Sequence, residues 1–597
     1  MAKLLQLFFE QLSRFWDFIG TCFMMFWTCH QRRVVYRCDV GGLLQWQKEE
    51  ICRLEGILNG NEVLNKKQCK HLLTKLNKVV ECVRNLITSS SEVQEFGVAL
   101  EELCCITQKL GVVMSECGNQ NRSQAIALQI NNKEAFRELV YDLRCCWDVI
   151  YEMHSTSHLG SHPVIFTIDF DMPTLKEIED DEKVLQESLN DGNNYKWREH
   201  LLQRLGDLQL EGGELDGVEV PNVIDSLKPE LLQQIGEGGY GVVYESIWLG
   251  VKCATKILPA SNGIEYLRKE VGILAGLSHP NLIKFIYCGV GWSIDELCSS
   301  TLKVSRKCKG GSGENLQNLY LVMEFMDTSL SGMLKKQSKP LSYLLAIDIM
   351  LQIANGMCYL HDMHVAHLDL KPDNVLMRPN SIEGRTLNPS RFLVKLADYG
   401  TSNIEVQSKV IEEQKCHLVG TTKYIAPEII QKNIKPHASL FQADVWSFAM
   451  TCSEILSQTA PFGSNLVLTK DILKKIKEFE RPKLPMNCEE LTRLIEDCWV
   501  EDPLQRPTFS KICEKLMDLK KMFLRGTYSA NLYPKFEKDG ASLQKKSRIE
   551  KAKDMKKKHV TEVKTILVLK YLVNYTFMYI YSLSFLLIWI ECRCLKV

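Results

Sequence analysis

The chain has 597 residues, of which 45% are hydrophobic and 24% charged, an ordinary composition for a globular protein of roughly two to four domains. Its 73 basic and 73 acidic residues balance, so no overall charge attracts nucleic acid and any electrostatic site must be local. The 23 cysteines show neither zinc-ligand spacing nor a small disulfide framework, which favours reduced thiols in a cytosolic protein.

Residues 1–41 form an apolar N-terminal segment. Its most hydrophobic part, residues 15–29, is interrupted by Asp17 and is followed by no small-residue cleavage site. The stretch is also short for a membrane span. We therefore predict an amphipathic or buried helix there rather than a signal peptide or an anchor.

Three stripes of apolar residues recur at steps of three and four along residues 42–155, which places each stripe on one face of a helix. Asn65, with Gln68 three residues later, resembles a capping box at the start of the first helix. Single-striped helices with short connections predict an all-α helical bundle, for which we expect a regulatory or binding role with an unidentified partner. The stripes are Cys69, Leu72, Leu73, Leu76, Val79, Val80, Val83 and Leu86; Phe96, Leu100, Leu103, Ile106, Leu110 and Val113; and Phe136, Leu139, Val140, Leu143, Trp147 and Ile150.

Residues 156–228 turn polar and acidic, which predicts a linker with some helix and a solvated acidic face around residues 177–182. From about residue 229 the sequence changes to short β-branched runs, and long helical patterns follow after about residue 340. That order predicts a small sheet-rich lobe followed by a helical lobe.

Gly236, Gly238 and Gly241 form a Gly-x-Gly-x-x-Gly pattern that opens the sheet-rich lobe. Glycines permit a tight turn whose backbone amides approach phosphates closely. A dinucleotide site reads similarly, but there the glycines would open a helix. Here the text VVYESIWLG follows and predicts a strand, so the glycines form the bend of a hairpin lid.

Lys256 follows Ala254 in a short apolar strand, and such a lysine can hold α- and β-phosphates. It needs a carboxylate to fix it, and Glu270, fourteen residues later on a predicted helix, is the candidate. A surface position is the simpler explanation for either residue taken singly.

The text HLDLKPDN, residues 367–374, carries three residues suited to phosphate transfer. Asp369 can accept the proton of a substrate hydroxyl, Lys371 can neutralise the transferring phosphoryl group, and Asn374 can bind a metal ion. Asp398, after the strand LVKLA, supplies a second metal ligand. With the glycine pattern and the pair Lys256 and Glu270, these four residues make six features in the order and at the spacings that phosphate transfer needs. Chance agreement of all six is negligible.

Residues 229–525 resemble a eukaryotic protein kinase domain. The resemblance implies an α+β, bilobal fold, with a β-rich N-lobe at about residues 229–325 and a helical C-lobe at about 326–525, preceded by the all-α bundle. It also implies ATP, Mg²⁺ or Mn²⁺, and protein substrates. The matching motifs are the Gly-rich loop with Val243, the lysine and glutamate pair Lys256 and Glu270, the catalytic loop from His367, Asp398-Tyr399-Gly400, Ala-Pro-Glu ending at Glu428, and the Asp-x-Trp that starts at Asp444.

The same resemblance implies which residues form the hinge and which group of protein kinases the sequence matches. MEFM matches the hinge, with Met323 as gatekeeper and with backbone groups near Glu324 and Met326 binding adenine. CWVEDPLQRPTF, residues 498–509, resembles the tyrosine-kinase-like group, and it implies that Arg506 pairs with Glu428. Lys371 before Pro372 and Thr421 after Gly420 match the Ser/Thr form.

Two positions depart from the family pattern. Tyr399 replaces a Phe, and its ring can still pack. Leu368 replaces the Arg of His-Arg-Asp, which by family analogy grips a phosphate on the activation loop. We expect an active kinase whose segment 398–428 is ordered without that pair. Phosphorylation could still occur at Ser402, Ser408, Thr421, Thr422 or Tyr424.

The alternative is a kinase-like signalling scaffold acting through the bundle, since a bundle ahead of a kinase-like domain resembles the mixed-lineage kinase-like proteins in arrangement. A scaffold has no need to keep Lys256, Asp369, Asn374 and Asp398 together, so catalysis is favoured.

Two further segments keep alternatives open. Residues 292–318 are long for a connection between two neighbouring strands of the sheet-rich lobe and are either a surface regulatory loop or a gene-model irregularity. In the tail, 526–597, a basic run precedes residues 571–590, which are uncharged and long enough for a bilayer. They predict either a cytoplasmic kinase with a membrane tail anchor or translated intron.

Overall fold

The structure is a computed structural model of the whole chain. The residues it describes are 40–60, 63–88, 93–119, 132–157, 168–190, 229–238, 241–248, 250–259, 277–292, 318–379, 391–398, 403–404, 422–430, 439–463, 474–476, 480–529 and 532–536. Residues 1–39, most of 292–318 and the predicted membrane span at 571–590 lie outside that set.

Four helices that pack on one another precede residues 229–525, which resemble a protein kinase domain. We call these four helices the N-terminal bundle. The first and third predicted stripes are buried throughout, and in the second Val113 alone is partly exposed. The prediction of helices here is confirmed. They are α1 (Val40–Leu58), α2 (Lys66–Thr88), α3 (Gly97–Cys117) and α4 (Lys133–Ser157).

A fifth helix, α5 (Leu175–Asn190), carries the acidic stretch and packs against α2. Asp181 is 3% exposed, and its carboxylate accepts the backbone N–H groups of Lys67 and Gln68, each at 3.0 Å. These are first-turn donors of α2 that no intrahelical carbonyl can satisfy. Burial raises the pKa of Asp181, against the lowering effect of those donors. Asp181 therefore caps α2 in place of the expected Asn65–Gln68 box, and the expectation of a solvated acidic face is wrong at this residue.

Next comes a five-stranded antiparallel sheet with the strand order β1-β2-β3-β5-β4. The hairpin turn between β1 and β2 pairs Gly238 with Gly241, as the glycine pattern predicts. The strands are β1 (Glu230–Gly238), β2 (Gly241–Trp248), β3 (Val251–Pro259), β4 (Phe285–Trp292) and β5 (Asn318–Glu324).

The helical lobe is built around α7 (Tyr343–Asp362), whose residues are almost all apolar. Among the described residues this is the one helix long and apolar enough to cross a membrane, and it is 78% buried inside the fold. Ser342 caps its start by accepting the N–H of Leu345. It is a core helix, against which the helix Phe509–Leu524 and the strand Phe392–Leu396 pack.

The other elements of this lobe are short strands around the catalytic loop and helices below it. They are β6 (Thr328–Ser329), α6 (Leu330–Lys336), β7 (Val365–Ala366), β8 (Val375–Pro379), β9 (Phe392–Leu396), β10 (Asn403–Ile404), α8 (Pro427–Ile430), α9 (Ser439–Ser457), α10 (Glu489–Cys498) and α11 (Phe509–Leu524). The prediction of a sheet-rich lobe followed by a helical lobe is confirmed.

Candidate active site

The catalytic loop follows β7 and is held by one buried carboxylate. Asp444 in α9 is fully buried and accepts the backbone N–H of His367 at 2.9 Å and of Leu368 at 2.8 Å. The same carboxylate contacts Nε2 of His361, at the end of α7, at 2.9 Å. Asp444 thereby ties the loop to two helices of the C-terminal lobe, and none of these three contacts needs the arginine that Leu368 replaces.

Leu368 adopts a backbone conformation that residues with a Cβ rarely take. Its φ is +64°, in the left-handed region, which costs a non-glycine residue roughly 1–2 kcal/mol. The two hydrogen bonds to Asp444 at His367 and Leu368 span this position. Strain held by surrounding structure at such a point orients the next residue, Asp369.

Asp369 lies among the other predicted loop residues. Lys371 Nζ is 2.6 Å from Asp369 Oδ2. Asn374 Nδ2 donates to the backbone oxygen of Asp369 at 2.8 Å and to Oδ2 at 3.0 Å. Since the amide nitrogen of Asn374 faces Asp369, its oxygen is the atom left to bind a metal.

Asp398 follows β9 and is linked to Asn374, since Ala397 N donates to the backbone oxygen of Asn374 at 2.9 Å. Its φ is +67°. Burial is the largest single influence on this carboxyl and opposes its ionisation. Lys256, whose Nζ lies 3.1 Å from Oδ1, together with His367 and Lys371 outweighs burial and lowers the pKa of Asp398. The site therefore joins the lysine of the sheet-rich lobe to a carboxylate beside the catalytic loop.

In the glycine loop, the surroundings of Gly241 and Gly236 place different demands on the residue at each position. A Cβ on Gly241 would stand 2.3 Å from the carbonyl oxygen of Ile257, so packing against β3 requires glycine there. A Cβ on Gly236 would meet nothing closer than Val243 at 3.8 Å, an ordinary contact. Protein packing does not require glycine at 236, and a glycine there leaves room for a phosphate to approach the backbone.

The predicted adenine-site residues line up across the sheet. Val243 pairs with Lys256, and Ala254 pairs with Met323. Met326 is 8% exposed, just beyond the end of β5. These pairings bring four predicted nucleotide contacts onto adjacent strands.

The side chain of Glu324 faces the protein. It accepts the N–H of Lys284 at 2.7 Å and pairs with Lys395 Nζ at 2.7 Å. Burial raises the pKa of Glu324, but Lys395 outweighs burial, so the pKa lies below its usual range. The carboxylate is occupied by these contacts, which agrees with the expectation that Glu324 offers backbone atoms to a nucleotide.

Arg506 lies against Glu428 in a two-pronged pair, with Nη1–Oε1 at 2.6 Å and Nη2–Oε2 at 3.0 Å. Both residues are buried, and the guanidinium stacks on Trp446. The structure thus brings these two predicted partners together at the end of segment 398–428.

Four predicted site residues lie outside the described part of the chain: Glu270, Tyr399, Gly400 and Thr421. The expected pairing of Lys256 with Glu270 therefore stays a prediction.

Comparison with known proteins adds to this geometry. The family model described as "Protein kinase domain" matches residues 230–517. Residues 230–517 form a protein kinase domain. Similar proteins include a "Light-sensor Protein kinase" of Ceratodon purpureus, 32% identical over 330 residues that cover 52% of this chain and 23% of that protein. The "Serine/threonine-protein kinase STY17" of Arabidopsis thaliana is 28% identical over 302 residues, 50% of this chain and 45% of that one.

A third relative is a probable LIM domain-containing serine/threonine-protein kinase of Dictyostelium discoideum, 29% identical over 290 residues, 47% of this chain and 38% of that protein. The chain thus spans less than half the length of each of these relatives. The similarity covers about the extent of the kinase domain.

The donor set of the kinase domain fits Mg²⁺ held jointly with phosphates. Within the described ranges no group of three His, Cys, Asp or Glu side chains could hold a metal alone. Asn374 and Asp398 offer two oxygen ligands, and Mg²⁺ commonly takes one or two carboxylates together with substrate phosphates and water. With the cradle at Gly236, these residues fit ATP and a divalent cation.

Several side chains that hold the kinase domain's site together were missed from the sequence. His361 supports Asp444, Lys395 fixes Glu324, and Glu454 accepts a 2.6 Å hydrogen bond from the hydroxyl of Tyr424. Tyr424 is 7% exposed in this conformation, and its phosphorylation stays a prediction. Nothing in the local sequence around His361, Lys395 or Glu454 marks the role of these side chains, and only the spatial partner of each distinguishes it.

Proposed function

We propose that this chain is an ATP-dependent protein serine/threonine kinase of the tyrosine-kinase-like group. The observation that carries the proposal is the meeting of Asp369, Lys371, Asn374 and Asp398 at one site, with Lys256 contacting Asp398. Phosphoryl transfer depends on positioning and charge neutralisation, and these residue types supply both.

Each residue has one role in this proposal. Asp369 orients the substrate hydroxyl and accepts its proton, and Lys371 stabilises the γ-phosphoryl group. Lys256 holds the other phosphates and keeps Asp398 ionised. Asn374 and Asp398 would hold a divalent cation such as Mg²⁺, which when bound would supply positive charge beside the phosphate oxygens. The acceptors are Ser and Thr hydroxyls of protein substrates, since Lys371-Pro372 has the Ser/Thr form.

Leu368 removes a regulatory contact and leaves the catalytic groups in place. The end of the activation segment is anchored by Tyr424–Glu454 and by Glu428–Arg506, pairs that require no phosphate. Asp444 holds the loop itself. We therefore propose activity that does not depend on an arginine–phosphate pair.

We further propose that the protein works in the cytoplasm. No disulfide joins any cysteine in the described part of the chain, as expected in a reducing compartment. Attachment through residues 571–590 is tested by extraction of the native protein with and without detergent. A pool that leaves the membrane fraction without detergent contradicts the anchor.

The experiment is transfer of labelled γ-phosphate from ATP to a degenerate Ser/Thr peptide library by the full chain, with the Asp369→Asn variant as control. We expect phosphoserine and phosphothreonine from the wild type and loss of transfer in the variant, with ATP still bound. Prior phosphatase treatment is expected to leave the rate unchanged. A wild-type chain that binds ATP and Mg²⁺ but transfers nothing points to the scaffold instead.

A further inference from the structure

The N-terminal bundle contacts the kinase domain through a buried cluster of four charges. Glu102, from α3 of the bundle, lies 2.8 Å from Arg391 Nη2 and 2.8 Å from Lys520 Nζ. Asp348, in α7, lies 2.7 Å from Lys520 Nζ and 3.3 Å from Arg391 Nη1. All four side chains are 9% exposed or less. We call these residues the junction cluster.

The charges that the kinase domain contributes to the junction cluster do not balance one another. Arg391 and Lys520 carry two positive charges against the single negative charge of Asp348, and Glu102 supplies the missing one. Burial alone would raise the pKa of Glu102, but Lys520 and Arg391 outweigh it and lower that pKa. Removing one member of a buried ion cluster leaves an uncompensated charge, which is costly. The kinase domain is therefore electrostatically complete only with the bundle in place.

Ion pairs contribute to this contact where its packing leaves a gap. A cavity of about 370 Å³ flanks the cluster, lined by Lys109 from the bundle and by Asp348 and Lys520 from the kinase domain, among others. A gap beside the cluster removes apolar contacts that would otherwise hold the two parts in one orientation. The buried ion pairs of Glu102 therefore contribute to that orientation, together with the pair between Glu138 of the bundle and His279 of the kinase domain.

One path runs from the junction cluster to Asp398, a proposed metal ligand. Arg391 directly precedes β9, and Asp398 follows that strand by two residues. In between, Lys395 is paired with Glu324, and Leu396 N donates to the backbone oxygen of Asn281 at 2.8 Å. A shift of Arg391 along this hydrogen-bonded strand moves Asp398 with it.

A second path runs from the cluster to the catalytic loop. Asp348 and His361 lie on the same helix, α7, and His361 contacts Asp444, which holds the loop amides. Gln352 of α7 also donates to the backbone oxygen of Phe392 in β9 at 3.0 Å, so helix and strand are joined between the two paths. The cluster thus lies where the supports of Asp398 and of the catalytic loop meet.

We propose that Glu102 is a positioning residue for phosphate transfer: by balancing Arg391 and Lys520 it sets the placement of Asp398 relative to the catalytic loop. This inference rests on the proposed kinase activity and extends it, because a residue of the bundle becomes part of the catalytic unit. The partner of this face of the bundle is then the kinase domain of the same chain.

The test uses the full chain with the Glu102→Gln substitution. We expect a 10- to 100-fold lower kcat, roughly the effect of an ångström-scale displacement made far from the chemistry. The KM for peptide is expected to stay within about twofold, because the substrate groove is not touched, and the Mg²⁺ concentration that half-saturates ATP binding is expected to rise at least about threefold. ATP binding is followed by thermal shift, which needs no turnover.

The matched control is Glu152→Gln, which breaks the exposed pair between Glu152 of the bundle and Arg525 of the kinase domain. Exposed pairs contribute little, so kcat and the Mg²⁺ requirement should stay at wild-type values. The second variant combines Glu102→Gln with Lys520→Met, which removes one charge of each sign and leaves Arg391 with Asp348. It should recover most of the lost kcat and restore the Mg²⁺ requirement.

The outcomes separate the two proposals. A folded Glu102→Gln variant with wild-type kcat and Mg²⁺ requirement overturns the positioning role, as does a double variant that is no better than the single one. If the Glu102→Gln variant does not fold, the test rests on the double variant Glu102→Gln with Lys520→Met. A Mg²⁺ requirement above the wild-type value in that double variant contradicts the positioning role of Glu102. If the wild type transfers no phosphate, the kinase proposal fails, while the Mg²⁺-dependent ATP-binding comparison still tests the placement of Asp398.

Discussion

Replacing Asp444 by Asn probes the way in which the catalytic loop is held without an arginine. The carboxylate, which is fully buried, accepts from the N–H groups of His367 and Leu368 and contacts Nε2 of His361, all within 2.9 Å. An amide has one acceptor oxygen, so at least one of the backbone donors faces an NH₂ group and loses its partner.

The expected loss follows from these contacts. One buried donor left unsatisfied costs about 1–3 kcal/mol, and each charge-assisted bond that becomes neutral loses about 1 kcal/mol more. We therefore expect the Asp444→Asn variant to lose about 3–5 kcal/mol, a large part of the roughly 5–15 kcal/mol typical of a domain. Because Leu368 is held at φ +64°, release of the loop should also misplace Asp369 and lower kcat by roughly 10- to 100-fold.

Urea unfolding gives the stability and labelled phosphate transfer gives the rate. The control is Asp497→Asn at an exposed pair with Lys515, where a change within about 0.5 kcal/mol is expected. If Asp444→Asn loses less than about 1 kcal/mol and keeps its kcat, the carboxylate does not hold the loop and the reasoning fails.

Three further predictions concern single contacts. Arg506→Lys keeps the charge but loses the two-pronged geometry with Glu428, and thermal unfolding should show a loss of about 3 kcal/mol; an unchanged midpoint contradicts this. Burial raises the pKa of Glu454 and the Tyr424 hydroxyl lowers it. Because the pKa of Glu454 is raised in the folded state, the contribution of Glu454 to stability is greatest at low pH and falls as the pH rises through that pKa. Loss of the Tyr424 hydroxyl raises the pKa of Glu454 further. The Tyr424→Phe variant should therefore lose more stability near pH 7 than near pH 5, and equal losses in urea at both would refute it. Asp181→Ala removes the cap of α2 and should cost about 1 kcal/mol, with faster amide exchange confined to the first turn of that helix; exchange unchanged there argues against the cap.

Local patterns predicted the parts of the fold that local chemistry determines. The stripe from Cys69 to Leu86 is buried because a helical period places those side chains on one face, and the β1–β2 turn forms because Gly238 and Gly241 can oppose each other. The loop residues Asp369, Lys371 and Asn374 lie within eight residues of text, so their meeting was also predictable.

Contacts between distant segments were not predictable from one sequence. Asp181 reads as one of several adjacent acids, and only the packing of α5 places it over the first turn of α2. Glu102 and Arg391 are 289 residues apart in the chain. The sequence around Glu102 does not indicate Arg391 as its partner, and the sequence around Arg391 does not indicate Glu102. Burial decides which of many charged residues matter structurally, and it depends on how whole helices pack.

The central claim is that the chain transfers phosphate although Leu368 replaces the arginine. The most direct measurement is labelled phosphate transfer by the purified full chain after phosphatase treatment, beside the Asp398→Ala variant. We predict labelled Ser and Thr from the wild type, at a rate that phosphatase does not reduce, and no label from the variant. Equal label from both proteins, or loss of transfer after phosphatase treatment, would contradict this account.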